Sequence, residues 1–181
     1  MKRFTTLSLL LVFFFFLLSC EKVKEATTID FETTMSVEIP VEVVDPGISA
    51  IAKSALVSYS FSQSLTESLE DNDNINTYLD HLKSIAINDV DIAFSGLQTD
   101  QIIENIDISV EGAGVIASIE NVSTSNLLHQ PEINSSVLIQ IANILNNEKQ
   151  ITIVVSGTTN EAPMSFLVDT SFDLHIEASP L

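Results

Sequence analysis

From Ile29 to Val43 the chain alternates without a break. Ile29, Phe31, Met35, Val37, Ile39, Val41 and Val43 occupy odd positions with Thr33, while the even positions are mostly Asp, Glu, Thr and Ser. Successive side chains of an extended strand point to opposite faces, so this run predicts a strand with one buried and one wet face. Pro40 has no N–H to give to a ladder, which puts the strand at a sheet edge or interrupts it there. A similar run closes the chain, with Met164, Phe166, Val168, Phe172, Leu174 and Ile176 in phase. Both runs are near 14 residues long, against a common strand length of about 5 to 6. They are expected to bend, or to pass from one sheet to another.

Shorter runs lie between them. Ala55, Val57, Tyr59, Phe61, Gln63 and Leu65 alternate with Ser58, Ser60, Ser62 and Ser64, after a turn at Asp45-Pro46-Gly47. Ile75, Tyr78, Leu79 and Leu82 follow helical spacing behind the capping cluster Asp71 to Asn74. Ile85 and Ile87 are odd, whereas Val90, Ile92 and Phe94 are even, so the phase slips at Asn88-Asp89 as it does across a β-bulge. Ile106, Ile108 and Val110, then Gly112-Ala113-Gly114, then Val115, Ala117 and Ile119 read as a hairpin. A second helix, capped by Asn134 or Ser135, carries Val137, Leu138, Ile141, Ile144 and Leu145 and ends near Asn146-Asn147. Ile151, Ile153 and Val155, a loop from Gly157 to Pro163, and the closing run read as a last hairpin.

About seven strands and two short helices, without regular βαβ alternation, predict a mainly antiparallel β-sandwich. The alternative is one curved sheet wrapping the helices around an apolar groove. Tyr59 is expected in the core with its hydroxyl reaching an edge.

The start of the chain is organised differently. Lys2 and Arg3 precede an apolar run from Leu7 to Leu18, broken only by Ser8, and charge returns directly after Ser19-Cys20. This is the three-part layout of a signal peptide, and its apolar part is shorter than the roughly 20 residues a spanning helix needs. Leu17-Leu18-Ser19-Cys20 resembles the bacterial lipobox, in which a peptidase cuts before a cysteine that has received diacylglycerol. The resemblance implies a signal peptide over residues 1–19, a lipidated tether over 20–27 and one folded domain over 28–181. It makes Cys20 the lipidation site and the membrane the first partner. Glu21-Lys22-Val23-Lys24-Glu25 loosely resembles the charged stretch that directs lipoproteins of the phylum Bacteroidota to the cell surface. The segment Ile75 to Ile85 leading into a strand adds to a likeness with small lipoproteins of that phylum. The outer membrane is the favoured location, with its face left open.

All 25 acidic residues follow Cys20, while Lys2 and Arg3 are the bases among the seven that precede it. Such an anion is repelled by phosphates, which excludes nucleic acid as a partner. Cys20 is the sole cysteine, so disulfides and thiol catalysis are not expected. Five of the ten Phe lie before Cys20, leaving an aliphatic core. With no Trp and two Tyr, aromatic sugar platforms are poorly supplied.

No motif after Cys20 carries recognisable chemistry. Asp71-Asn72-Asp73-Asn74 resembles the opening of a calcium loop, which makes Asp71 and Asp73 candidate ligands. Ile75 replaces a third ligand, Asn76 the turn glycine and Leu82 the closing glutamate, so a cap is the better reading. His81, His129 and His175 lack metal-ligand spacing and are read as surface residues. No serine sits in a nucleophile elbow, and Gly112-Ala113-Gly114 lacks the rest of a phosphate cradle. No cofactor and no enzymatic role are expected. A non-enzymatic envelope module for protein contact or assembly comes first, with an envelope protein as partner. A carrier of lipid or another apolar ligand and a calcium-stabilised adhesin are the alternatives.

Overall fold

The computed structural model describes residues 28–45 and 57–180. Eight strands form in chain order: β1 (Ile29–Val43), β2 (Tyr59–Ser68), β3 (Leu82–Ser95), β4 (Ile103–Val110), β5 (Gly114–Val122), β6 (Leu128–His129), β7 (Gln150–Thr159) and β8 (Met164–Ala178). Among the described residues one α-helix, α1 (Ser135–Glu148), precedes β7, and two 3-10 turns, Leu69–Asp71 and Asn76–His81, lie between β2 and β3. The strands make two antiparallel four-stranded sheets, ordered β1-β8-β3-β6 and β2-β7-β4-β5. The β-sandwich expected from the alternation is therefore present, and the single curved sheet is not.

The pairing is nested. β1 pairs with β8, β2 with β7, β3 with β6 and β4 with β5. Rolling that ribbon adds the contacts β3 to β8 and β4 to β7. Eight strands connected in this way make a jelly roll. Only β4 and β5 are consecutive strands paired directly, through the glycine turn; Gly112 and Gly114 there have φ of 83° and 102°, where a side chain is strained. β7 and β8 lie in opposite sheets, so the expected last hairpin does not form. β1 and β8 do not change sheets either, because they pair with each other from Ile29–Ala178 to Val43–Met164. The turn at Asp45-Pro46-Gly47 and the residues through Leu56 fall outside the described residues, apart from Asp45.

The core lies between the sheets. Val37, Ile39 and Val41 from β1 and Val168, Phe172 and Leu174 from β8 are almost wholly buried, opposite Ile106, Ile108, Ile153 and Val155 of the second sheet. Phe61 and Phe166 join the two layers edge to face, with ring centroids 5.4 Å apart. Tyr59 is half-buried at the margin. The phase slip at Asn88 is the expected bulge, with the β3–β8 register shifting between Ile87 and Asp89. A second shift between Ile108 and Ser109 changes the phase of β5, so that adjacent Ile116 and Ala117 are both buried and Val115 is exposed.

Helix α1 begins where Asn134 accepts the Ser136 N–H at 2.9 Å, and it stops at Lys149, which has φ of 59°. It packs Ile141, Ala142 and Leu145 against β3 and β7. The helix expected over Ile75 to Leu82 is instead the second 3-10 turn, Asn76–His81. Ile75 stands at the N-cap without a capping side chain, and Leu82 already belongs to β3. Three residues per turn still put Tyr78 on Phe31, with centroids 5.4 Å apart.

Thr170 is a local inconsistency. It is fully buried between Val37 and Ile92, and its hydroxyl has no hydrogen-bond partner. Burying an unpaired hydroxyl costs about 1 to 3 kcal/mol. Thr170→Val keeps the β-branch and is expected to raise unfolding free energy by about 1 kcal/mol in a urea titration. Thr170→Ser, which keeps the hydroxyl and removes a methyl, is expected to lower it.

Candidate functional site

The register fixes what the outside of the first sheet presents. Asp30 lies opposite Glu177, which lies opposite Ser84; Glu32 lies opposite His175, which lies opposite Ala86. The next rows read Thr34, Asp173 and Asp89, then Ser36, Ser171 and Asp91, then Glu38, Asp169 and Ala93. Carboxylates and hydroxyls fill these rows and meet each other: Thr34 donates to Asp173 at 3.0 Å, and Ser36 donates to Asp169. The outside of the second sheet has fewer carboxylates, with Asp107 on β4 and Glu120 on β5 both exposed, and its β2–β7 part is mostly hydroxyls. There Ser60, Ser62 and Thr66 lie opposite Thr158, Ser156 and Thr152, and the Thr66 and Thr152 hydroxyls are 2.7 Å apart.

Titratable groups converge most closely where β1 begins and β8 ends. His175 Nδ1 lies 2.8 Å from Glu32 Oε1, with the imidazole side chain 36% exposed. Asn88 Nδ2 donates to the other oxygen, Glu32 Oε2, at 3.0 Å. Ser84 Oγ donates to Glu177 Oε2 at 2.8 Å. One ligand atom each from Asp30, His175 and Glu177 lies within 4.8 Å of the others. Lys83, beside Ser84, donates to Thr28 Oγ1 at 2.6 Å.

The hydrogen bond to Glu32 raises the His175 pKa above its ordinary value. Desolvation opposes that rise, and the charges of Glu32, Asp30 and Glu177 add to it. A raised folded-state pKa contributes stability that is complete below the ordinary histidine value and is lost as pH rises through the raised one.

This grouping was not visible as spacing in the chain, because the register brings Asp30 and Glu32 to residues at the far end. The signal was present in parity, since the polar phases of the first and last runs contain all four residues. His175 does sit on the polar face, as expected, but it is bonded to Glu32 and grouped with two further carboxylates.

The other sequence candidates are placed elsewhere. Asp71 closes the first 3-10 turn, and Asp71 and Asp73 are both exposed. Their neighbours make the hydrogen bonds: Asn72 Oδ1 accepts the Asn74 N–H at 3.0 Å, and Asn72 Nδ2 donates to the Thr34 carbonyl at 2.9 Å. Asn74 Nδ2 donates to Thr33 Oγ1 at 3.3 Å. The segment thereby covers part of the outer edge of β1, a role sequence reasoning missed. His81 ends the second 3-10 turn, while His129 Nε2 lies 2.9 Å from the Asn126 carbonyl and its ring meets Phe94 edge-on. Cys20 lies outside the described residues.

The hollows among the described residues include one of about 370 Å³ beside Val43, Gln98, Gln101 and Met164 and one of about 540 Å³ beside Asp91, Leu128 and His129. Both are lined by polar as well as apolar residues at the margins of the sandwich.

No protein-family model matches the chain, and no curated protein matches its sequence. Solved structures to which it is similar include Desmodium yellow mottle tymovirus, at 9% identity over 83% of this chain and 84% of that one, with a TM-score of 0.34. Mud crab tombus-like virus is another, at 9% identity over 85% and 83%, with a TM-score of 0.40. Tobacco necrosis virus is a third, at 11% identity over 83% and 97%, with a TM-score of 0.31.

Proposed function

We propose that the chain is an exported lipoprotein of the cell envelope, held on a membrane by lipid on Cys20, whose β-sandwich is a non-enzymatic module for binding or assembly. The observation that carries this reading is the order of features before residue 21: two bases, an apolar run too short to span, then Leu17-Leu18-Ser19-Cys20. Two or more acyl chains on one cysteine suffice for stable anchoring, since each buried methylene contributes about 0.8 kcal/mol.

A binding role is supported by the edge of β1. The Thr34 carbonyl points away from β8, because it accepts from Asn72, and alternate residues of a strand share that direction. Ser36, Glu38, Pro40 and Glu42 therefore direct their backbone groups outward, and the missing N–H of Pro40 interrupts no bond to β8. Among the described residues no strand lies beyond β1 in its sheet, and past the stretch that Asn72 covers such an edge can accept an added strand.

The anchor is tested by expressing the full chain in a Gram-negative host with labelled palmitate. The wild type is expected in the membrane fraction with label, and Cys20→Ala without label and released from the membrane. A Cys20→Ala chain that stays membrane-bound, or a mature N-terminus other than residue 20, would overturn the reading.

A further inference from the structure

We propose that the edge of β1 binds an extended, cationic segment of a partner protein as an added strand, with basic side chains set against Glu38 and Glu42 and apolar ones over Leu65. This partner class rests on the binding-module reading of the sandwich. Among the described residues β1 has one neighbour in its sheet, β8, and the ladder between them leaves the backbone groups of Ser36, Glu38 and Glu42 and the Pro40 carbonyl directed away. An added strand can bond to all of these, and Pro40 withholds a single donor. The side chains of Ser36, Glu38, Pro40 and Glu42 are exposed on the outer face of the sheet.

Two independent observations define the chemistry of the occupant. One is charge. Residues that pair with Glu38 and Glu42 from outside stand on the same face as those carboxylates, and Glu38 already lies opposite Asp169 on β8. No Lys or Arg lies on β1 or β8, so cations from an added strand complement these positions. A second copy of β1 does not. Every antiparallel register centred between Ser36 and Glu42 sets carboxylates of one chain directly or diagonally opposite those of the other, which weakens pairing. The other observation is the uncovered inner side of β2, the edge strand of the second sheet, which touches β1 on the same margin. Leu65 pairs with the fully buried Ile153, so it stands on the core side of β2, yet it is 36% exposed. Gln63, opposite buried Val155, is exposed as well. The chain runs on from β2 to Asn72, which meets Thr34, so Leu65 lies alongside the middle of β1. Side chains of an added strand alternate, and those turned away from Glu38 and Glu42 face Leu65. The occupant is therefore a segment in which basic and apolar residues alternate.

The test is a fluorescence-anisotropy titration of the full-length chain, in non-ionic detergent, against a labelled peptide of alternating lysine and valine long enough to span Ser36 to Glu42. The wild type is expected to bind it, and Glu38→Lys combined with Glu42→Lys to weaken binding about tenfold or more. Glu111→Lys combined with Glu120→Lys makes the same change of charge at exposed positions of the β4–β5 hairpin, and is expected to change binding less than about threefold. Methylating every second peptide amide is expected to abolish binding in one phase and spare it in the other, since one set of N–H groups faces β1. Amide exchange is expected to slow at Ser36, Glu38 and Glu42 when the peptide binds. Cys20→Ala is expected to bind as the wild type does, so a failed anchor and a failed edge are read separately. Thermal melts check that each variant is folded. No binding by the folded wild type, equal weakening by the two charge reversals, or equal binding of both methylated peptides would each overturn the proposal. So would a chain that dimerises through β1, or one whose Ser36 and Glu38 amides are protected before peptide is added.

Discussion

Gly157→Ala is expected to destabilise the protein by about 3 kcal/mol, lowering the melting temperature by roughly 6 to 12 °C. Gly157 stands inside β7, at an inward position opposite Phe61 on one side and Ile106 on the other. A Cβ there would press into the Asn105 carbonyl oxygen and come within 2.9 Å of Phe61 Cζ and 3.0 Å of the Asn105 carbonyl carbon. Neither neighbour yields easily. Asn105 is main chain at a register shift in β4, and Phe61 is held edge to face by Phe166. Phe61→Leu is therefore not expected to rescue Gly157→Ala, because the carbonyl remains. Ser156→Ala, one residue away on the outer face, is expected to change stability by less than about 0.5 kcal/mol. Thermal melts of the four chains check the set, and a Gly157→Ala chain as stable as Ser156→Ala would refute the steric account.

The second large effect is expected at Phe172. Its side chain is completely buried in the middle of β8, where it pairs with Met35 on one side and Val90 on the other. Phe172→Ala removes the ring from a place where strands on both sides prevent collapse, and a loss of about 3 to 5 kcal/mol is expected in denaturant titration. That is a large share of the 5 to 15 kcal/mol typical of a whole domain. Val90 lies just past the bulge in β3, so the bulge is what returns an inward side chain to the ring. Phe31→Ala, at a half-buried ring packed on Tyr78, is expected to cost less than half as much. Equal losses at the two positions would show that the middle of β8 is not the densest part of the core.

The strands were legible because period two survives in sequence. β1 matches its run from the first residue to the last, and the bulge at Asn88 was visible as a change of parity. The partners were not legible. Ile29 pairs with Ala178 and Tyr59 with Thr159, and nothing local in either run encodes a partner so distant. Consecutive strands were therefore read as hairpins, correctly at β4–β5 and wrongly at β7–β8. Gly157 was read as loop because glycine usually punctuates a strand, whereas here it makes room for a neighbouring backbone. The short helix was read from i, i+3 and i+4 spacing, which a 3-10 turn also partly satisfies. The group around His175 depends wholly on register, so only its polar parity was available beforehand.

The nested pairing also orders events in time. Among the described strands β1 is the first to emerge from a ribosome, yet its sheet partner β8 is the last, ending at Ala178. Until then β1 has no strand to pair with in its own sheet, although the strands of the opposite layer, β2, β4, β5 and β7, have already emerged. Contacts of such long sequence separation form slowly, since loop closure precedes any gain from pairing. A chain built this way completes the sheet β1-β8-β3-β6 only once β8 is available. The architecture that makes the strand partners unreadable also delays folding until synthesis has passed β8.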